Sequence, residues 1–214
     1  MDTIWTSIAQ RISESTGTPF VIKSQDAVGG GCINSATVLQ DGNRRYFVKL
    51  NDAARLAMFE AEAEGLKEIA QTRSLRVPLP VCSGTDDGSA YLVLEHLDLT
   101  GADGRCLEQL GRELAQMHRA TQIQFGWRLD NTIGSTPQIN TPGADWVGFW
   151  CEHRLGFQLD LAARHGRNMM RQGERLMADL GNFFRSYHPK PSLLHGDLWG
   201  GNIGATEGRP VIFD

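Results

Sequence analysis

The chain has 214 residues, 41% of them hydrophobic and 21% charged, close to ordinary globular usage, so the composition suggests neither a disordered nor a membrane protein. Its formal net charge of −4, with no Lys/Arg-rich run, argues against a nucleic-acid partner, because nothing supplies a counterion-releasing surface. The opening Met1-Asp2-Thr3-Ile4-Trp5 lacks a basic segment followed by an apolar core, and no apolar run approaches the ~20 residues that span a bilayer, so no membrane partner and a cytoplasmic location are expected.

In chain order, Phe20-Val21-Ile22, Ala36-Thr37-Val38-Leu39 and Tyr46-Phe47-Val48-Lys49-Leu50 are short β-prone runs separated by Gly-rich or Asp-Gly-Asn turns, which predicts an antiparallel meander. Residues 53–70 are rich in Ala, Glu and Leu at helical spacing, and residues 78–81 and 90–95 read as two further strands. Near residue 95 the pattern turns from strand-rich to helix-rich. The expected architecture is α+β and bilobal: residues 1–95 form a five-stranded antiparallel sheet with one helix, and residues 96–214 a mainly helical lobe.

In that second part, Leu107, Leu110, Leu114 and Met117 share one helical face, as do Trp146, Phe149, Trp150, His153 and Phe157, and then Leu176, Leu180, Phe183, Phe184 and Tyr187. These stripes are read as core. Cys82, Cys106 and Cys151 are widely spaced and read as buried small hydrophobes rather than metal ligands or a disulfide framework. Cys32 stands apart, in a glycine-rich loop.

The chemistry concentrates in His195-Gly196-Asp197-Leu198-Trp199-Gly200-Gly201-Asn202. The glycines permit backbone turns closed to other residues, so the loop can aim Asp197 and Asn202 inward. A carboxylate at Asp197 suits a base or orienter for a substrate hydroxyl, while the amide oxygen of Asn202 can ligate Mg²⁺ without adding charge. Residues 210–214 read as a strand ending on Asp214, whose carboxylate would join Asn202, phosphate oxygens and water around the metal. Lys49 closes an apolar strand, where an ammonium needs a buried anion such as the phosphates of ATP. Of the three glutamates on the following helix, Glu62 shares the face of Phe59, Leu66 and Ile69 and is assigned to Lys49, while Glu60 and Glu64 point to solvent. Gly29-Gly30-Gly31-Cys32-Ile33-Asn34 lies between the first two strands, where a bare backbone can approach nucleotide phosphates.

Together these motifs resemble the kinase-like phosphotransferases that include aminoglycoside phosphotransferases, choline kinases and fructosamine kinases. Gly-Gly-Cys-Ile-Asn is similar to the fructosamine kinase nucleotide loop, which implies ATP contacts at Gly30, Gly31, Cys32, Ile33 and Asn34. Leu92-Val93-Leu94-Glu95-His96-Leu97 resembles the connector that binds adenine, which implies the Glu95 carbonyl and the Leu97 amide. The block Phe125-Gly126, Asp130-Asn131-Thr132-Ile133-Gly134-Ser135-Thr136-Pro137-Gln138, Asn140, Asp145-Trp146 and Arg154-Leu155 looks like the fructosamine kinase signature. Within it Asp130, Asn131, Thr136, Gln138 and Asn140 form a dense set of hydrogen-bonding groups, candidate substrate contacts or else a loop bonded to itself. Trp199 is a further candidate, as a cover for a sugar face or as packing.

The resemblance implies a protein-kinase-like fold, with ATP and Mg²⁺ serving transfer to the C3 hydroxyl of a small or protein-bound ketosamine, followed by loss of phosphate and release of the amine. Family members continue with further helices beyond this aspartate, so the helical lobe is expected to be incomplete. The alternatives are an aminoglycoside- or choline-type phosphotransferase, which would share Lys49, Asp197, Asn202 and Asp214, and a non-catalytic nucleotide-binding module gated by oxidation of Cys32. An intermolecular disulfide at Cys32 would make the protein a redox-sensitive homodimer rather than a monomer.

Overall fold

The computed structural model describes residues 3–29, 33–167 and 169–214. The chain divides into two compact units, residues 1–117 with 195–214, and residues 118–194.

The first unit opens with α1 (Thr3–Thr16), then β1 (Ser24–Val28), β2 (Ser35–Gln40) and β3 (Arg45–Asp52). After one 3₁₀ turn come α2 (Leu56–Gln71), β4 (Pro80–Asp86), β5 (Ser89–Glu95) and α3 (Gly104–Met117). The strands form one five-stranded antiparallel sheet in the order β1-β2-β3-β5-β4. Side chains alternate across a strand, and the sheet uses both faces. Val48, Tyr91 and Val93 join Leu39 in a cluster with Ile8 and Ile12 of α1, while the alternate residue Lys49, paired with Leu92 on the neighbouring strand, reaches the α2 side.

Three of the five expected strands, at residues 36–39, 46–50 and 90–95, and the helix after β3 are where the sequence places them; the strand read at 78–81 begins only at Pro80 and runs on to Asp86, and two further corrections concern the start of the chain. Phe20-Val21-Ile22 is not a strand: β1 begins at Ser24, and Phe20 instead buries its ring in the α1 cluster, edge-on to Tyr46. The sheet also carries a second helix, α1, beyond the one expected. Its signal is present in the sequence, since Ile4, Ile8 and Ile12 recur every fourth residue and so share one face.

The same unit ends in the antiparallel hairpin β8 (Ile203–Thr206) and β9 (Arg209–Ile212). Its two-residue turn, Glu207-Gly208, has both residues at positive φ, 50° and 74°, the conformation that matches the right-handed twist of tight hairpins. Bridges from Thr100 to Ala205 and from Arg76 to Val211 tie the hairpin to the segments flanking the sheet.

The second unit holds a short hairpin, β6 (Asn131–Ile133) and β7 (Thr136–Gln138), then a continuous helical run. That run comprises α4 (Trp146–Trp150), a π-helix (Cys151–Gly156) and α5 (Phe157–Arg164), and α6 (Met170–Phe183) comes after it. Asp145 caps α4 through its carboxylate and the Gly148 amide, 2.5 Å. Phe125, Trp146, Phe149 and Phe184 form an aromatic cluster. The apolar stripe of the last helix is core only in part: Leu180 is buried, but Leu176, Phe183 and Tyr187 are exposed, as is Leu107 on α3. Among the described residues nothing packs over them closely enough to exclude water.

Candidate active site

Lys49 is placed by the middle strand of the sheet and is buried, 8% exposed. Its Nζ lies 2.8 Å from Glu62 Oε1 on α2 and also contacts the Asp214 carboxylate. Burial pushes the ammonium toward its neutral form, but Glu62 and Asp214 outweigh that and hold its pKa above the usual lysine value. Burial lifts the Glu62 carboxyl above the usual range, with Lys49 pulling the other way. The cation is therefore kept, clasped by two acids in a place with little water.

The β8–β9 hairpin explains how residues as distant in sequence as Asn202 and Asp214 meet. Its last ladder pair is Ile203 with Ile212, so the next residues out, Asn202 and Phe213, are neighbours, joined by a Phe213 N–H to Asn202 O bond of 3.2 Å. Asn202 is buried, 5% exposed, and its Nδ2 donates to the Asp197 carbonyl at 3.0 Å. That bond uses the amide nitrogen and leaves Oδ1 as the acceptor, the atom a hard cation would take.

His195 braces the same corner. Its Nδ1 accepts the Asp197 backbone N–H at 3.4 Å and its Nε2 faces the Phe213 carbonyl at 3.3 Å. Those two bonds require a neutral imidazole with its proton on Nε2. Burial holds the ring's pKa below the ordinary histidine value, against the opposing pull of Phe213 O, Asp197 and Asp214, so the neutral tautomer is the one the site favours. Asp197 itself is solvent-exposed, as a group that must meet an incoming hydroxyl would be.

Asn202 and Asp214 are a fitting but incomplete set for Mg²⁺. Among the described residues there is no cluster of three or more His, Cys, Asp or Glu side chains that could hold a metal. A metal at this corner would draw its remaining oxygens from phosphate and water, as Mg²⁺ commonly does.

Of the nucleotide-loop residues, Gly30, Gly31 and Cys32 lie outside the described residues. Ile33 and Asn34 are tied to the end of β3, where Asn51 Nδ2 donates to Asn34 Oδ1 at 2.7 Å and to Ile33 O at 3.1 Å. Asn51 is absent from the residues that sequence reasoning selects. A polar amide ending an apolar strand, two residues past Lys49, is the available signal. Glu95 ends β5, with its amide bound to Leu79 O at 2.8 Å and its carboxylate to Arg76, and Leu97 continues into a half-buried extended segment.

The polar loop of the second unit closes on itself. Asp130 Oδ1 accepts the Asn140 N–H at 2.8 Å, and Asn140 Nδ2 donates to Asn131 Oδ1 at 2.8 Å and to Leu129 O at 2.9 Å. Asn140 is 4% exposed, the centre of this network. Gln138 lines a cavity instead. Trp199 is 62% exposed, its ring lying across the Cα of Gly201, where an added Cβ would collide with the indole. Arg154, which the sequence presents only as one member of a longer block, is the side chain that fastens the loop to the helical run.

The sequence profile of the fructosamine kinase family matches residues 4–214. A protein of Synechocystis sp. named as a probable ketoamine kinase is 46% identical over 213 residues, covering 98% of this chain and 72% of its own length. The chloroplastic protein-ribulosamine 3-kinase of Oryza sativa subsp. indica is 44% identical over 199 residues, 90% of this chain and 58% of its own. A crystal structure from Haemophilus somnus 129PT, provisionally described as a fructosamine-3-kinase, superposes with a TM-score of 0.90 at 28% identity, over 98% of this chain and 71% of that one. The chain thus spans between somewhat over half and three quarters of the relatives it resembles.

Proposed function

This chain belongs to the fructosamine kinase family of ATP-dependent phosphotransferases, and from that premise we propose that it transfers the γ-phosphoryl group of ATP to the C3 hydroxyl of a ketosamine, free or protein-bound. The observation that carries the reading is the contact of the buried Lys49 ammonium with Glu62 and with the half-exposed Asp214 carboxylate, with His195 and Asn202 bracing Asp197 beside it. Phosphoryl transfer asks little covalent chemistry of a protein and much positioning. In this reading residues 1–95 bind the nucleotide and residues 96–214 supply catalysis and substrate contacts.

Lys49 holds the ATP phosphates, its ammonium kept charged and fixed by Glu62. Asp197 accepts a hydrogen bond from the C3 hydroxyl and orients it in line with the γ-phosphorus. Asn202 Oδ1 and the Asp214 carboxylate would hold Mg²⁺, which supplies charge neutralisation on the phosphates when bound. The backbone of residues 29–34 cradles the phosphates, and the Glu95 carbonyl and Leu97 amide hold adenine. Trp199, on an exposed rim, covers the sugar or its amine substituent. Free thiols at Cys82, Cys106 and Cys151 suit a reducing compartment, in keeping with action in the cytoplasm.

The product has a chemical consequence. Loss of a C1 proton from a ketosamine 3-phosphate gives a C1–C2 enaminol, whose nitrogen lone pair expels phosphate from C3. Water then adds to the resulting iminium at C1 and frees the amine. Incubation with ATP, Mg²⁺ and fructosyl- or ribulosyl-lysine, with NMR as the readout, should show phosphate on C3 and then free lysine. Phosphate on C1, C4 or C6 alone would reject the assignment and leave the fold untouched.

A further inference from the structure

The second unit contains a cavity of about 280 Å³ lined chiefly by Ile133, Pro137, Gln138, Trp150, Arg154 and Phe157. Most of that wall is hydrocarbon and indole. Gln138, His153 and Gln158 also line the cavity, but its one always-charged group is the Arg154 guanidinium, and the surroundings of that group are unusual for a cation. Nη1 donates to the carbonyls of Ile139, 2.7 Å, and His153, 3.1 Å, and Nη2 donates to Asn140 Oδ1, 2.6 Å. Its flat face lies over Phe149, with Cζ 4.8 Å from the ring centre. Every one of these partners is neutral. Among the described residues no carboxylate pairs with Arg154, and partial burial alone acts on it, pulling its pKa below the usual value. Desolvating a charge without a counter-charge is costly. A guanidinium has five N–H donors, and these contacts leave Nε–H and one Nη2–H to spare.

The backbone beneath Arg154 is a second, independent observation. Residues Cys151–Gly156 form a π-helix, a widened turn that is rare and concentrated at functional sites. The widening depends on Gly156, where a Cβ would sit 2.6 Å from the Cys151 carbonyl oxygen. The extra residue in the turn rotates α5 relative to α4. Phe149 and Leu159 stay in the core, while His153, Arg154 and Leu155 between them line the cavity.

We propose that this cavity is a binding site for a small monoanionic carboxylate with an apolar or aromatic body. The spare N–H groups of the fixed guanidinium fork hold the carboxylate, and Ile133, Trp150 and Phe157 hold the body. One cation matches one negative charge, so a phosphate dianion would leave its second charge against an apolar wall. The volume lies at the small end of ligand pockets, which run from ~300 Å³ upward. None of the residues assigned to the nucleotide takes part; Gln138, a candidate ketosamine contact, is the one wall residue shared with the kinase reading, and titration without nucleotide or ketosamine tests this site apart from it.

Phenylacetate is a suitable probe, titrated without nucleotide and monitored by saturation-transfer NMR and tryptophan fluorescence, with 2-phenylethanol and benzylphosphonate as neutral and dianionic comparisons. The carboxylate should bind at least about tenfold more tightly than either, the margin one charge-assisted contact supplies. Arg154→Met should lose that margin. Because Arg154 also fastens Asn140, a second variant, Ile133→Trp, fills the cavity from the hairpin side and leaves the guanidinium bonds alone. It should abolish binding with the melting temperature unchanged. Equal affinity for 2-phenylethanol, undiminished phenylacetate binding in Ile133→Trp, or no binding to wild type at about 10 mM, the weak limit of specific recognition, would each overturn the proposal.

Discussion

The two short hairpins of this protein use one local device for opposite ends. β8–β9 gathers Asn202 and Asp214 at its open end and turns them outward, one to the Asp197 loop and the other to Lys49. β6–β7 gathers Asp130, Asn131 and Asn140 in the same way, and these bond to one another. The first corner is charged and needs other parts of the chain, or a ligand, to complete it. The second is closed, Asp130 and Asn131 both being satisfied by Asn140. Polar groups at a hairpin mouth therefore point to chemistry only when their hydrogen-bonding capacity is left open or is met by a charge from elsewhere.

The hardest blow to that contrast is at Asp197. Asp197→Asn should lower turnover by about 10²–10⁴-fold, the usual worth of a positioned base, with ATP affinity measured by calorimetry nearly unchanged. Wild-type turnover in that variant would remove the charged corner from catalysis.

Next in size is Lys49→Met, which strands Glu62 in a buried site and should cost about 3–5 kcal/mol in denaturant unfolding, as broken buried pairs do. The loss should shrink in the double variant Lys49→Met, Glu62→Gln. Additive losses would mean that the pair is not coupled.

At the closed corner, Asp130→Ala removes the acceptor for the Asn140 amide and should cost about 1–3 kcal/mol, the penalty of a buried donor left unpaired. If the loop only bonds to itself, the ketosamine KM stays where it was. A KM that rises at unchanged stability would make Asp130 a substrate contact and reverse the comparison.

The smallest effect is a pH dependence from His195. Its folded pKa lies below the ordinary histidine value, so the unfolded chain takes up the proton first as pH falls. The contribution of His195 to stability is full above the unfolded value of about 6.5 and is lost as pH drops toward the folded one. His195→Gln should flatten that part of the stability profile, and an unchanged slope would place the titration elsewhere, with half-buried His96, also lowered by burial, the next group to test.

Much of the charged corner is legible in the sequence because charge on an apolar pattern is conspicuous. Lys49 at the end of Tyr46-Phe47-Val48, and Glu62 on the stripe of Phe59, Leu66 and Ile69, each demand a partner, and periodicity alone separates Glu62 from Glu60 and Glu64. The closed corner is not legible in that way. Asp130 and Asn131 have the composition of a ligand loop, and only geometry shows that Asn140 consumes them. α1 escapes notice although Ile4, Ile8 and Ile12 keep helical spacing, since the polar residues between them dilute the pattern. The π-helix has no reliable signal in spacing, because one residue too many in a turn shifts a stripe without erasing it.

Val48 and Lys49 are consecutive residues of one strand that look in opposite directions, one into the α1 cluster and the other toward Glu62. The packing of the first fourteen-residue helix and the hold proposed for Lys49 on a nucleotide therefore share a single piece of backbone. A ligand that binds Lys49 stabilises β3 against opening, and so also the surface on which α1 packs. Slower exchange of the α1 amide hydrogens on addition of ATP would report occupancy of the Lys49 face of the sheet, and proteolytic trimming before residue 16 should weaken any such occupancy through the sheet rather than around it.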